Sequence, residues 1–273
     1  MSSPPDAGAT PRFVARGVSK RFGAVEALVD VDFEVSAGEV VALVGDNGAG
    51  KSTLIKAISG VQPADEGSFW FEGEPVEVHT PGDAYALGIA TVYQDLALCD
   101  NLDVVANLFL GSEVFVHGPG GAVRVLDEIT MEQRTLKLLA SLSVTTLRSV
   151  RTEVGSLSGG QRQAVAIARS LLGEPKLVIL DEPTAALGIT QTEQVLALIE
   201  RLRQRGLAVV VISHNLANVF HVADRIVVLR LGRRAATFDR RSTTQQDVVA
   251  AITGAKMLRP ELLLGPDGAK AGA

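Results

Sequence analysis

Three short stretches hold the residues that could do chemistry. Residues 45–53 read GDNGAGKST, which fits G-x-x-x-x-G-K-[ST], a loop whose glycines let successive backbone N–H groups converge on phosphate oxygens without a Cβ in the way. Its candidate binders are Gly45, Asp46, Asn47, Gly48, Ala49, Gly50, Lys51, Ser52 and Thr53, and Lys51 adds a point charge. Residues 177–183 read LVILDEP, an apolar run ending in two acids. That is the pattern of a buried strand delivering Asp181 and Glu182 to the phosphate end of a sheet. Between them, residues 157–161 read LSGGQ.

In this order the three motifs resemble the ATP-binding subunit of an ABC transporter, over about residues 13–254. Moving a γ-phosphoryl group to water needs charge neutralisation, a metal clamp and an oriented nucleophile. Lys51 is expected to pair with β and γ oxygens, and Ser52 and Asp181 to hold Mg2+ from two sides. The resemblance implies that Glu182 is the general base and that Ser158, Gly159, Gly160 and Gln161 cap the ATP held by a second copy. Gln94, closing ATVYQ, matches the family position whose amide reaches Mg2+ and the attacking water while the loop behind it touches the transmembrane partner. His214, in VVVISHN, matches the switch histidine that bonds the γ-phosphate, a task imidazole performs without a permanent charge. Phe22, in SKRFG, matches the ring that stacks on adenine. In AALG, Gly188 stands where many relatives carry an interface Asp.

The elements that must position these residues follow from local pattern. Residues 12–35 alternate apolar and polar in patches, as half-exposed antiparallel strands do, whereas EVVALVG is a continuous run expected as a central strand. A helix from Lys51 carries Leu54, Ile55 and Ile58 on one face, with its positive N-terminus toward the phosphates. Residues 68–78 read as a hairpin and 89–93 as a short strand ending at Gln94. From Asp95 the pattern turns helical and irregular, with a Gly-rich break at 117–122 and a helix from Met131 to about Leu142. An apolar helix follows LSGGQ. Further strands are expected at 177–180, 208–212 and 226–229, and Thr190 with Glu193 forms a capping-box pattern opening a helix. The expected fold is α/β: a P-loop NTPase (RecA-like) core with an antiparallel β subdomain and an α-helical subdomain inserted at about 95–157 of an ATPase domain covering 12–254.

Composition limits the alternatives. The 273 residues, 47% of them hydrophobic, suffice for one such domain with a subdomain. A second phosphate loop and a second LSGGQ are absent from the sequence, so a two-site assembly needs another chain. Residues 1–11 read as a disordered leader, and 255–273 as a mobile tail. The longest apolar runs fall short of the ~20 residues of a membrane span. A net charge of −5 argues against a nucleic-acid footprint. The single cysteine, Cys99, reads as a buried structural thiol, and of the four histidines only His214 reads as functional.

Residues 93–111 (YQDLALCDNLDVVANLFLG), with HTPGDAYALGI before and DEPTAALG after, resemble bacterial simple-sugar importers of the ribose, xylose and fructose type. The resemblance implies a second ATP-binding subunit, with the intact motif set favouring a homodimer. It also implies membrane permease subunits, indirectly a sugar-binding protein, and a peripheral place on the cytoplasmic face of the membrane. Two other readings compete: a soluble ABC ATPase acting on ribosomes or DNA, and a regulatory cassette that binds ATP without turnover.

Overall fold

The computed structural model describes residues 11–117 and 124–255. Most of the expected leader, most of the Gly-rich break and all but the first residue of the expected tail lie outside them. The chain opens with β1 (Phe13–Phe22), β2 (Val25–Val35) and β3 (Val40–Gly45), then α1 (Lys51–Ile58). β4 (Glu66–Phe71), β5 (Glu74–Val76), α2 (Pro81–Leu87) and β6 (Ile89–Val92) follow. The middle of the chain forms α3 (Val104–Phe109), β7 (Phe115–His117), β8 (Arg124–Leu126), α4 (Glu128–Ser141) and α5 (Gly159–Ser170). The last third alternates: β9 (Leu177–Asp181), α6 (Ile189–Gln204), β10 (Ala208–Ile212), α7 (Leu216–Val222), β11 (Arg225–Arg230), β12 (Arg233–Asp239) and α8 (Gln245–Thr253).

The chain divides into two compact units. The first runs to Gln94, takes Pro175–Pro183 and resumes at Leu202. It holds an antiparallel sheet, β2-β1-β4-β5, and a six-stranded sheet, β12-β11-β3-β10-β9-β6, parallel except where β12 pairs antiparallel with β11. Apolar continuity in β3 has a plain cause, since both faces of the sheet are covered. Val41 and Leu43 join the cluster containing Leu54, Ile55, Ile58 and Phe33, whereas Ala42 and Val44 join Val219, Ile226, Phe238 and Val248.

The second unit comprises Asp95–Glu174 and Thr184–Arg201, a wider span than the expected 95–157, because it takes in α5 and most of α6. Val104, Val105 and Leu108 of α3, Leu139 of α4 and Val165 of α5 are all buried. A polar group sits within it. Asn107 is 0% exposed and uses its whole amide: Oδ1 accepts from the Cys99 amide at 2.8 Å, and Nδ2 donates to the carbonyls of Cys99, Leu102 and Asp103 at 3.0, 3.1 and 3.0 Å.

Several local expectations change. The Gly-rich break is flanked by a two-stranded hairpin, β7 and β8, in a stretch that reads as helical because its exposed strands lack a buried face to impose alternation. α4 starts one turn early because Asp127 caps it, its carboxylate accepting from the Thr130 amide at 3.0 Å. α6 begins at Ile189, so Thr190 lies inside the helix and is not its cap; instead Gln191 Oε1 accepts from the Gly188 amide at 3.4 Å. Cys99 is half-buried rather than buried.

Candidate functional site

The phosphate loop joins β3 to α1, and its shape depends on glycine at three places. Gly45 has φ 154°, and a Cβ there would lie 2.3 Å from the Leu229 carbonyl oxygen. Gly50, at φ 103°, would put a Cβ 2.7 Å from the Ala27 oxygen and 2.8 Å from Leu28 Cδ2. Gly48 is also left-handed, at φ 77°, but faces open space. Gly50 is the N-cap of α1 and supplies no side-chain cap, so the first amides of that helix have no side-chain acceptor and carry the positive end of its dipole. Asp46, Asn47 and Ser52 are exposed, Thr53 is half-buried and Ala49 is buried. Lys51 folds back over the loop, Nζ donating to the carbonyls of Gly45 at 2.8 Å and Asp46 at 2.9 Å.

A brace that motif reading misses lies beneath this loop. The turn between β11 and β12 places Gly232 so that its amide donates to the Ala49 carbonyl at 3.1 Å, while its carbonyl accepts from the Val29 amide at 2.8 Å. A Cβ on Gly232, at φ 73°, would lie 2.9 Å from the Ala27 oxygen. The sequence LGRR between two apolar runs signals the turn, but nothing in it says what the turn touches.

Parallel pairing brings the other residues to the same carboxyl edge, where ligands of such sheets bind. Ile212 of β10 pairs with Asp181 of β9 and also with Leu43 of β3, two residues before the loop. Val92 of β6 pairs with Leu180, so exposed Gln94 follows two residues beyond, next to that edge. Glu182 turns off β9 with φ 50°, a left-handed conformation that costs a non-glycine residue about 1 kcal/mol. Its amide donates to the Ile212 carbonyl at 2.9 Å. Its carboxylate is held too: Oε1 accepts from the His214 amide at 3.0 Å and lies 2.9 Å from His214 Nδ1. The Glu182 side chain is 15% exposed and that of His214 74%.

Charge is concentrated at this edge. Burial, and then the neighbouring Glu182, push the Asp181 carboxyl above its usual range against the opposing pull of Lys51. Burial lowers the Lys51 ammonium, opposed by Glu182, Asp181 and Asp46. A divalent cation would relieve the repulsion between the two acids. Ser52, Asp181 and Gln94 offer a hydroxyl, a carboxylate and an amide oxygen, the hard donors that Mg2+ takes. Among the described residues no group of three His, Cys, Asp or Glu could hold a metal. The Glu182 contact also constrains His214: with Nδ1 donating to the carboxylate, Nε2 donates to a phosphate oxygen as well only when the ring is the imidazolium.

Phe22 lies at the exposed end of β1, paired with Val25. Its ring is 43% exposed and lies outside the core cluster of that sheet, with Lys20 Nζ 5.8 Å from its centroid. A solvated aromatic face is available there for stacking.

The LSGGQ residues lie in the second unit, at the start of α5. Ser158 is the N-cap: its hydroxyl accepts from the Gln161 amide at 3.3 Å and Gln161 Oε1 accepts from the Ser158 amide at 2.9 Å, a capping box. Gln161 Nε2 also donates to the Thr146 carbonyl at 2.7 Å. Neither glycine could carry a Cβ freely, since one on Gly159 would lie 2.9 Å from Leu187 Cδ2 and one on Gly160 2.9 Å from Gln191 Cβ. The helix-capping duty is therefore real, and it leaves Ser158 and Gly159 exposed. At Gly188 a Cβ would meet nothing within 4 Å, so the missing interface Asp has no steric cause within the chain.

Comparison with known proteins gives the family. The ABC transporter family model matches residues 28–185. A fructose import ATP-binding protein of Rhizobium meliloti is 48% identical, the match covering 90% of this chain and 95% of the relative. A xylose/arabinose import ATP-binding protein of Sulfolobus acidocaldarius is 44% identical over 87% of this chain and 92% of its own length. A ribose import ATP-binding protein of Rubrobacter xylanophilus is 43% identical, but the chain spans only 47% of it. Among solved structures, an ATP-binding cassette of an ABC transporter superposes with TM-score 0.78 at 27% identity, covering 90% of this chain and 98% of that one. A dimeric cassette in a post-hydrolysis state, bound to ADP and Pi, gives 0.68 at 25% identity, covering 85% and 100%.

Proposed function

We propose that this chain, which belongs to the ABC transporter family, is the ATP-binding and ATP-hydrolysing subunit of a monosaccharide importer. The observation that carries the reading is the gathering of Lys51, Asp181, Glu182 and His214 at one carboxyl sheet edge beside an α1 N-terminus with no side-chain cap. The names of the relatives, all import ATP-binding proteins, favour uptake over a soluble ATPase or a regulatory cassette.

Lys51 exchanges its two loop carbonyls for β and γ oxygens, and the α1 amides take the remaining phosphate contacts. Phe22 stacks on the base. Ser52 and Asp181 would hold Mg2+ with Gln94, and that ion would supply charge neutralisation on the transferring group. Glu182, fixed by both His214 donors, orients a water and takes its proton as the water oxygen bonds to the γ-phosphorus and the bond to ADP breaks. Ser158, Gly159, Gly160 and Gln161 of a second copy close over the nucleotide, so that two chains share two sites.

No helix among the described residues is long and apolar enough to cross a membrane, so attachment at the cytoplasmic face comes through a permease, to which a sugar-binding protein delivers the solute. The test is uptake of radiolabelled fructose, xylose and ribose by cells carrying the subunit with its permease, against cells carrying Lys51→Ala. Uptake that is equal in both, for every sugar, would reject the import reading.

A further inference from the structure

We propose that Arg169 positions Gln94 by fastening the segment behind it to the helix that begins at Ser158. The inference rests on the import reading above, with Gln94 at the Mg2+ site and the loop behind it against the transmembrane partner, so that this loop couples hydrolysis to transport. Arg169 stands near the C-terminal end of α5, and its guanidinium donates twice: Nη2 to the Leu96 carbonyl at 2.8 Å and Nη1 to the Ala97 carbonyl at 2.7 Å. These are the second and third residues after Gln94. No ion pair among the described residues engages Arg169, although its guanidinium is half-buried. Its charge-assisted bonds therefore go to the loop backbone.

The rest of the loop is held by other groups. Asn107 binds the backbone of Cys99, Leu102 and Asp103. The amides of Gly155 and Val154 donate to the carbonyls of Asp100 and Leu102 at 2.8 and 3.0 Å. All of these act at residues 99–103. The Ala97 amide donates to Asp95 Oδ1 at 3.2 Å within the loop itself, and among the described residues Arg169 is the side chain from outside the loop that binds 96 and 97. Ala97 is in a left-handed conformation, φ 47°, which a free loop would leave. A planar guanidinium spans two successive carbonyls, whereas an ammonium offers one point of charge. α5 is one continuous helix from Gly159 to Ser170, so a displacement of its first turn on meeting phosphate would reach Leu96 and Ala97 through Arg169, about 16 Å along the helix axis.

The experiment compares Arg169→Gln and Arg169→Lys with Arg162→Gln, a change on the same helix that removes a partner of Asp100, 3.2 Å away. Amide exchange of residues 95–98 and the labelling rate of Cys99, the only cysteine of the chain, are read on the full-length subunit. Nucleotide affinity is read beside them, and sugar carried per ATP consumed is read in the permease complex. Arg169→Gln is expected to leave ATP affinity within about twofold, to raise exchange at 95–98 about tenfold or more as two charge-assisted bonds are lost, and to lower sugar per ATP at least severalfold. Arg169→Lys, which keeps the charge and the stem and covers the case that the Gln variant does not fold, should fall between. Arg162→Gln should leave 95–98 as in the parent. Unchanged exchange in both Arg169 variants, an equal effect from Arg162→Gln, or loosened exchange with parental sugar per ATP would each overturn the proposal. A parent complex that carries no sugar would instead count against the import reading, while the exchange measurements would still decide whether Arg169 holds the loop.

Discussion

Replacing Glu182 by Gln separates the contact that the structure gives this side chain from the catalytic role proposed for it. The carboxylate orients His214, accepting from its amide at 3.0 Å and lying 2.9 Å from Nδ1, and it is the group proposed above to take a proton from water. An amide oxygen preserves the first role in nearly the same shape, at the loss of charge assistance worth about 1 kcal/mol. Removing the charge also relieves Asp181, whose carboxyl burial, and then Glu182, hold up, and the backbone cost of φ 50° is common to both residues. The net change in stability is therefore within about 1 kcal/mol, roughly 2–4 °C in melting temperature for a domain of this size. Loss of the base is larger: about a hundredfold or more in turnover, which is roughly 2.7 kcal/mol in the barrier. The variant should fold, bind Mg-ATP and accumulate as a closed dimer. Phosphate release, size-exclusion chromatography with Mg-ATP and a melting curve measure the three quantities together. Near-parental turnover would refute the assignment of Glu182 as the base. Slow turnover without a dimer would instead place the failure in pairing, where Gly188 replaces the usual acid. Glu182→Ala is the poorer test, since it strips both His214 donors of their acceptor and confounds chemistry with geometry.

Lys51→Ala removes a cation that contacts two loop carbonyls here and is proposed to exchange them for β and γ oxygens; at about 1.5–3 kcal/mol per charged hydrogen bond, nucleotide affinity should fall a hundredfold or more in a fluorescent-nucleotide titration, and unchanged affinity with Mg2+ present would reject the phosphate-loop assignment. Ser158→Ala should destabilise the protein by about 1 kcal/mol through loss of the α5 cap, measurable by urea titration. Ser158→Arg should also leave monomer nucleotide binding intact while blocking ATP-dependent pairing, and equal loss of monomer binding would contradict the action of LSGGQ on a second copy. Phe22→Ala should leave the melting temperature unchanged, because the ring is outside the core, yet weaken ATP by roughly 5–150-fold if a stack worth ~1–3 kcal/mol is lost; calorimetric titration with ATP and with inorganic triphosphate separates base from phosphate contributions.

Some of this protein is written in residue order alone. Gly45 to Thr53 specify a phosphate loop because Gly45, Gly48 and Gly50 take φ of 154°, 77° and 103°, which glycine adopts without a Cβ penalty, and the apolar runs at 40–45, 177–181 and 208–212 specify central strands by their continuity. These are local rules: they act within a few residues, so a sequence displays them directly. What only the tertiary structure decides is which distant groups meet. Pairing of Ile212 with both Asp181 and Leu43 brings His214 onto Glu182 from 32 residues away, and no spacing rule contains that contact. The same holds for Gly232 beneath Ala49, for Asn107 as a buried anchor and for Arg169 on the loop behind Gln94, each an ordinary residue type whose partner is a backbone carbonyl that carries no sequence signature. Helix ends fall between the two cases. Ser158 with Gln161 reads and folds as a capping box, whereas Thr190 with Glu193 reads as one and does not fold so, because α6 already starts at Ile189 with Gln191 bonded back to Gly188. A cap pattern offers a place for a helix to begin, and packing of the whole chain selects among the places offered.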